Sequence, residues 1–324
     1  MYSDGVAVIG AGAFGTALAI AQAAKQQNVI LWGRDPDTMG TINALRENNA
    51  RLPGLRLPGN ITVTANMASL HGQMTVLLSV PTQSLRGFLQ EHAQWLASHM
   101  LVVCCKGVER GTGLLPEEIV KSVLPQAVTA VLTGPSFADD IGRGKPTALT
   151  LATDVPSGGE LQETLSTPTL RLYLSDDPRG AQLGGALKNV VALAAGMVIG
   201  ADLGESARAA LMTRGFAEIV RLAQVQGAHP ETLWGLSGFG DLILTCSSEK
   251  SRNFSYGVQF AQGHHMIDGV TVEGVMTAHA ICEQNLDIDL PVIYMVSRLL
   301  KGEVSVPQAM ETLLQRPLKS ERLL

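Results

Sequence analysis

Two lysines, an aspartate and an arginine stand in surroundings that make them chemically useful. Lys188 lies within Leu183-Gly184-Gly185-Ala186-Leu187-Lys188-Asn189-Val190-Val191, among glycines and aliphatic side chains. An ammonium buried there is costly unless it is paired or its pKa falls. A lysine with a lowered pKa is a general acid/base for a substrate oxygen near neutral pH. A second ammonium at Lys106 would push it that way, and Asp241 would oppose it. The plainer alternative is a helix lysine whose head snorkels to water. Lys106 sits in Cys105-Lys106-Gly107-Val108-Glu109 after an apolar run of strand length, and ligands bind at such strand ends in open α/β sheets. A solvated loop lysine is the alternative there. Ser251-Arg252-Asn253 combines a permanent cation with hydroxyl and amide donors, a set suited to a phosphate, although a helix cap reads the same way. Gly134-Pro135-Ser136-Phe137-Ala138 is either a ligand-facing turn presenting Ser136 and backbone N–H groups or an ordinary Gly-Pro turn. An acid/base, a cation and an anion anchor are what hydride transfer to a small carbonyl asks of a protein.

A nucleotide site is written at the start of the chain. Gly10-Ala11-Gly12-Ala13-Phe14-Gly15 follows an apolar run and opens a helical pattern. Gly10 permits the tight turn, Gly12 lets backbone approach a pyrophosphate, and Gly15 lets helix and strand pack closely. The helix N-terminus adds N–H donors and partial positive charge. About 20 residues on, where an acid would bind the ribose 2′-hydroxyl of NAD, stand Gly33 and Arg34. Arg34 is suited to the 2′-phosphate of NADP. Asp35 turned inward would instead serve NAD, and an Arg34–Asp35 surface pair is the structural alternative. NADPH is the favoured cofactor.

The elements that must hold these residues alternate. Val6–Ile9, Val29–Trp32, Thr75–Leu78, Met100–Val103 and Ala130–Leu132 are continuous apolar runs, as in strands covered on both faces of a parallel sheet. Helical patterns lie between them, as over Gly15–Gln27 and Ser84–Ser98, and the βαβ rhythm predicts a doubly wound sheet. Thr147–Ala152 and Leu170–Leu174 are expected as edge strands. After about Pro178 the strand-like runs fade and helical spacing dominates, as in Gln182–Ile199, Ser206–Gln226, Val275–Gln284 and Pro291–Lys301. The expected fold class is therefore α/β: a Rossmann-like dinucleotide-binding domain over 1–178 and an all-α substrate-binding domain over 179–324.

Bulk composition agrees with an enzyme of this kind. At 324 residues the chain exceeds the usual single core, so two domains are expected. A net charge of -5 argues against general nucleic-acid affinity and leaves anion binding to local cations. Cys104, Cys105, Cys246 and Cys282 form no C-x-x-C pair, which fits a reducing compartment. The apolar start runs straight into the glycine motif with no basic leader, and no uninterrupted run reaches the ~20 apolar residues of a membrane span. The expected location is cytoplasmic. His264 and His265 are adjacent, but nothing nearby completes a tetrahedral ligand set, so no metal is expected.

Taken in order, Gly10–Gly15, Trp32–Asp35, Lys106–Glu109, Gly134–Ala138, Gly144–Ala148, Leu183–Val190, Ala207–Gly215, Gly238–Cys246, Ser251–Asn253 and Val272–Gly274 resemble the bacterial-type glycerol-3-phosphate dehydrogenase family, over nearly the whole chain. The resemblance implies interconversion of dihydroxyacetone phosphate and sn-glycerol 3-phosphate with NADH or NADPH, run mostly toward the glycerol phosphate that feeds phospholipid synthesis. It implies that Lys188 exchanges the proton with the substrate oxygen and that Lys106 contacts both cofactor and substrate. Gly134, Ser136, Asp241, Ser251, Arg252 and Asn253 are implied substrate contacts. Gly10, Gly12, Ala13, Phe14, Gly15, Arg34, Ala138, Arg252, Thr271 and Glu273 are implied cofactor contacts, and a homodimer is implied. Three positions depart from the pattern: Ala13 stands where Ser is frequent, Phe14 where Trp or Tyr is, and Cys105 where Thr is. Two other readings stay open at this level. A related dehydrogenase of another hydroxy acid would need a carboxylate clamp in place of the phosphate anchor, and a dinucleotide sensor would leave both lysines without chemical purpose.

Overall fold

The computed structural model describes residues 5–25, 27–70, 75–264 and 272–317. The chain forms two compact units, one of Met1–Cys105 with Pro116–Pro178 and one of Lys106–Leu115 with Arg179–Leu324.

The first unit is built on an eight-stranded sheet. Its strands are β1 (Val6–Ile9), β2 (Val29–Trp32), β3 (Ile61–Thr64), β4 (Thr75–Leu78), β5 (Met100–Val103), β6 (Val128–Thr133), β7 (Thr147–Ala152) and β8 (Leu170–Ser175), in spatial order β3-β2-β1-β4-β5-β6-β7-β8. Pairing is parallel from β3 through β6, antiparallel between β6 and β7, and parallel again between β7 and β8. All four residues of each of β1, β2, β4 and β5 are buried, which is why these segments read as unbroken apolar runs. The order in which successive strands are added reverses at β1, which pairs Ile9 with Trp32 on one side and with Leu78 on the other. A ligand crevice opens at such a switch point, beyond the carboxyl ends of the strands. The helices of this unit are α1 (Ala13–Ala23), α2 (Pro36–Leu45), α3 (Thr82–Leu96), α4 (Pro116–Val123), α5 (Ala138–Gly142) and α6 (Gly158–Leu165).

The structure adds one strand to those expected and moves another. Ile61–Thr64 is a strand although its run, Ile-Thr-Val-Thr, alternates and buries only Ile61. It is the sheet edge, with one ladder partner, so half of it faces away from the core. Thr147–Ala152, expected at an edge, is instead paired on both sides, and β8 ends the sheet.

The second unit is helical: α7 (Pro178–Gly200), α8 (Glu205–Val225), α9 (Pro230–Leu233), a π-helical turn at Leu236–Gly240, α10 (Asp241–Cys246), α11 (Arg252–Ala261), α12 (Glu273–Glu283), α13 (Pro291–Leu300) and α14 (Val306–Leu314). α7 is its axis. Every residue from Gly180 to Val198 is buried, and the helix is long and apolar enough, at a mean hydropathy of 1.6, to cross a membrane by those measures. Here the apolarity serves packing on all sides, since 89% of its most apolar stretch is buried within the protein. Glycines set how closely its neighbours approach. A β-carbon at Gly196 would lie 2.1 Å from the Phe254 carbonyl oxygen, and one at Gly257 would lie 2.2 Å from that of Leu193. α7 and α11 therefore cross backbone to backbone, which draws the start of α11 in beside the axis.

Candidate active site

The glycine loop in the first unit has the backbone its sequence requires. Gly10 has φ of 110°, and a β-carbon there would lie 2.7 Å from the Ser79 carbonyl oxygen. At Gly15 a β-carbon would sit 2.0 Å from the Gly10 carbonyl oxygen. Gly12 is different: a β-carbon there would meet nothing within 4 Å. It is the N-cap of α1, with no side chain capping the first turn. The loop is thus closed on the protein side at Gly10 and Gly15 and open at Gly12, with backbone N–H groups available at the positive end of α1. That cradle fits the pyrophosphate of a dinucleotide. Ala13 and Phe14 lie in the first turn of α1, and Ala138, at the start of α5, packs into the same apolar cluster around Ala17, Ala21, Leu52, Leu55 and Ile141. The structure therefore packs Ala138 against the same cluster as the first turn of α1, although 120-odd positions separate them in sequence.

At the end of β2, a β-carbon on Gly33 would lie 2.4 Å from the Met39 sulfur, so the methionine side chain would have to shift to admit one. Arg34 follows and is exposed, with no hydrogen bond or ion pair among the described residues. Asp35 is committed to helix α2 as its N-cap, accepting from the Thr38 N–H at 3.3 Å and from the Thr38 hydroxyl. The bonds from Thr38 hold its carboxyl below the usual range. The turn after β6 has Gly134 at φ of 139°, with Ser136 Oγ donating to the Gly134 carbonyl at 3.3 Å.

In the second unit one carboxylate collects two ammonium groups. Asp241 is 1% exposed, and its Oδ2 lies 2.5 Å from Lys106 Nζ while its Oδ1 lies 2.9 Å from Lys188 Nζ. Lys188 also donates to Thr245 Oγ1 at 2.5 Å, and the Thr245 hydroxyl reaches Asp241 Oδ1 at 3.3 Å. The elements explain the convergence. Asp241 and Thr245 are one turn apart on α10, and Lys188 is one turn from Gly184 on α7. At Gly184 a β-carbon would lie 2.7 Å from the Ser237 carbonyl oxygen, so its absence lets the π-helical turn carry Asp241 up against Lys188. Lys106 arrives on the 106–115 segment, which belongs to this unit although it follows β5 of the other.

Electrostatics follow from that burial. Removal from water pulls the Lys188 ammonium down to about 8; Asp241 opposes the fall and Lys106 adds to it. Burial alone would raise Asp241, but the two ammonium groups outweigh it and hold the carboxyl below its ordinary value. Two cations on one buried carboxylate leave a positive excess whenever Lys188 is protonated, a point of attraction for an oxyanion or a phosphate.

The Ser251–Asn253 stretch divides. Ser251 caps α11, accepting from the Phe254 N–H at 3.3 Å, so the helix-cap alternative holds for its acceptor role. Asn253 ties three helices together, donating to Asn189 Oδ1 at 2.9 Å and accepting from the Gly274 N–H at 2.9 Å. Arg252 is exposed. Burial pushes Glu273 up to about 7, with Arg252 drawing it back, so these two lie within electrostatic reach. The Glu273 Oε2 is buried without a partner among the described residues. Thr271 lies outside the described residues.

The geometry brings forward three residues to which the sequence pattern gives no separate role. Thr245 lies within the Gly238–Cys246 block and Asn189 beside Lys188, and each holds a site side chain by hydrogen bond. Asn48 carried no signal at all: its amide donates to the Ala11 carbonyl of the glycine loop, 37 positions away. Helical spacing from Asp241 points to Thr245, one turn on along α10, whereas nothing in the local pattern announces the contacts of Asn189 or Asn48.

Comparison with known proteins agrees with this architecture. The family model described as NAD-dependent glycerol-3-phosphate dehydrogenase N-terminus matches residues 5–157, and the corresponding C-terminus model matches residues 177–311. A protein of Ruegeria sp. (strain TM1040) named glycerol-3-phosphate dehydrogenase [NAD(P)+] is 52% identical over 98% of this chain and 99% of its own length. One of the same name from Roseobacter denitrificans is 51% identical over the same shares. A crystal structure of glycerol-3-phosphate dehydrogenase from Coxiella burnetii, 34% identical, superposes with a TM-score of 0.91 over 98% of this chain and 100% of that one. A Rossmann-like sheet unit, a helical unit and near full-length likeness together place the chain in the NAD-dependent glycerol-3-phosphate dehydrogenase family.

Proposed function

We propose that this chain catalyses the reversible, NAD(P)-dependent reduction of dihydroxyacetone phosphate to sn-glycerol 3-phosphate, in the cytoplasm and as a homodimer, supplying glycerophospholipid synthesis. The observation that carries the reading is the buried Lys106–Asp241–Lys188 cluster, with its lysine drawn down to about 8. In this reading residues 1–178 bind the dinucleotide and residues 179–324 the substrate, with 106–115 serving the second unit.

Lys188 holds and moves the proton. Its ammonium has three N–H donors. Asp241 and Thr245 take two of them, which leaves the third for a carbonyl oxygen of the substrate. Protonated Lys188 donates to that oxygen as it gains charge during reduction, and neutral Lys188 accepts the alcohol proton in reverse. Asp241 orients both ammonium groups, and Lys106 adds positive charge beside the developing alkoxide. Arg252, with Ser251 and Asn253, anchors the phosphate, while Gly134 and Ser136 complete the substrate contacts. When bound, the nicotinamide supplies or accepts the hydride. The Gly10–Gly15 loop, with Ala138, holds its pyrophosphate; Arg252, Thr271 and Glu273 complete the cofactor contacts. The exposed Arg34 favours NADPH over NADH by binding the 2′-phosphate.

A steady-state assay tests the proposal, with dihydroxyacetone phosphate against small 2-oxo acids and each reduced cofactor in turn. Rapid oxidation of NADPH with dihydroxyacetone phosphate alone is expected. Turnover of the oxo acids instead, or dinucleotide binding with no turnover, would overturn it. With the cofactor saturating, Arg252→Ala should raise KM for the phosphorylated substrate while leaving unphosphorylated dihydroxyacetone nearly untouched. Equal losses for both would remove the arginine from the anchor.

A further inference from the structure

Asn48 lies in the connection between α2 and β3 and is 1% exposed. Its Nδ2 donates to the Ala11 carbonyl oxygen at 2.9 Å and to Thr16 Oγ1 at 2.8 Å. Ala11 is the residue between the two glycines that shape the loop. On one side of it, Gly10 is tied by its N–H to the Trp32 carbonyl at 2.9 Å. On the other, the Gly12 carbonyl begins α1 by accepting the Thr16 N–H at 2.9 Å. The Ala11–Gly12 peptide between these anchors is held by a side chain, and that side chain is Asn48.

We infer that Asn48 is a positioning residue for the dinucleotide: its hold on the Ala11 carbonyl aims the Gly12 N–H at the pyrophosphate. In a planar trans peptide the carbonyl and the following N–H point in opposite directions. A carbonyl pinned on the Asn48 side therefore sends the Gly12 N–H to the other side of the loop. Gly12 is also where the loop is open, since a β-carbon there would touch nothing within 4 Å. The inference rests on the dinucleotide reading of the loop given above.

The segment bearing Asn48 is braced as a positioning device must be. Its carbonyl accepts the Arg51 and Leu52 N–H groups at 3.1 and 2.8 Å. Glu47 and Arg56 form an antiparallel bridge, and Glu47 Oε1 accepts the Gly54 N–H at 2.6 Å. Leu52 and Leu55 pack against Ala17 and Ala21 of α1 and Ile141 of α5. The asparagine thus projects from a closed loop seated on the same helix whose N-terminus it serves. An amide is needed because both partners accept: a carbonyl oxygen can only accept, and the Thr16 hydroxyl receives the second N–H.

Three variants of the full chain separate positioning from bulk stability: Asn48→Leu, of similar shape but without donors; Asn48→Ala; and Thr16→Val, which removes only the second arm. NADPH affinity is read by fluorescence titration, and folding by circular dichroism and Tm. Steady-state kinetics at saturating cofactor follow. Both Asn48 variants should lose NADPH affinity by about tenfold, the scale of one misdirected hydrogen bond to a charged group. Their KM for the triose phosphate should not move, and kcat should stay within about twofold of the parent once cofactor saturates. Thr16→Val should lower Tm yet bind NADPH nearly as the parent does. Parent-like affinity in Asn48→Leu would overturn the inference. So would a Thr16→Val loss equal to that of Asn48→Leu, since the effect would then run through helix stability. Absence of dinucleotide binding by the parent would instead overturn the reading of the loop itself.

Discussion

Lys188 combines two demands that oppose each other. In the proposed role it must be protonated to donate during reduction, yet its proton must leave readily. Burial, resisted by Asp241 and reinforced by Lys106, sets it at about 8, where both forms are accessible near neutral pH. For the free protein this fixes the sign of the pH dependence. In the reduction direction kcat/KM should be level below about 8 and fall as pH rises through it, because the neutral amine has no proton to give. In the oxidation direction it should rise through the same region. Asp241→Asn removes the group that favours the charged ammonium, so the reduction limb should move to lower pH as well as lose height. Steady-state profiles from pH 6 to pH 10, set as about two units either side of the titration, provide the measurement. A reduction profile still level at the alkaline end would remove Lys188 from the proton transfer. Lys188→Ala should lower kcat by roughly 10²–10⁴, the usual worth of a positioned acid, with NADPH affinity kept because the glycine loop is untouched. Calorimetry alongside turnover checks both halves, and parent-like kcat would defeat the assignment.

The elements show why some of this could be read from the chain and some could not. Four central strands announce themselves because both faces are covered, so that Val-Ala-Val-Ile, Val-Ile-Leu-Trp, Thr-Val-Leu-Leu and Met-Leu-Val-Val admit little polarity. β3 escapes because an edge strand may carry Thr62 and Thr64, and β7 is misplaced because pairing partners are a property of the sheet, not of the strand. Lys188 and Asp241 were legible for the opposite reason: charge amid small apolar residues violates the local pattern, and such violations cluster at sites. Asn48 obeys its local pattern as a polar residue in a connecting loop, so its contact with Ala11 leaves no trace in spacing. Glu218 on α8 is a similar case. It is 2% exposed and accepts the Val292 and Ile293 N–H groups at 2.7 and 3.0 Å, closing the N-terminus of α13 from a different helix. Burial pushes its carboxyl up to about 7 against those bonds. With the folded value above the unfolded 4.5, the folded state binds more proton between them. Its contribution is therefore greatest below about 4.5 and is lost as pH rises toward about 7. Glu273, also raised to about 7, acts in the same sense. Glu218→Gln cannot ionise, so Tm against pH should descend less steeply across that window than in the parent. Parallel curves would show that Glu218 does not carry this proton.

For the whole molecule, recognition of anions has to be local. The chain holds 24 Lys and Arg against 29 Asp and Glu, so its net charge of -5 repels a dinucleotide phosphate or a triose phosphate at long range. In the proposed reading a few fixed groups attract them: the open N-terminus of α1, the positive excess around Asp241, Arg252 and Arg34. These differ in how strongly salt reaches them. Lys188 is buried and Lys106 largely so, with side chains 9% and 19% exposed, and charges so placed are weakly screened. Arg34 stands in solvent, and any bond it makes to a 2′-phosphate is exposed to counterions. Ionic strength should therefore act on the choice of cofactor more than on the chemistry. As salt rises from about 0.01 M to about 0.5 M, where the screening length shrinks from about 30 Å to a few ångströms, KM for NADPH should climb more steeply than KM for NADH. The kcat values should stay nearly level. Arg34→Ala should weaken NADPH by about tenfold, the scale of a lost charge-assisted bond, leave NADH unchanged, and bring the two salt dependences together. Steady-state titrations of both cofactors in parent and variant, at three salt concentrations, give all four slopes. If the NADPH slope persists without the arginine, the 2′-phosphate is held elsewhere, and the cofactor preference has to be sought in another cation.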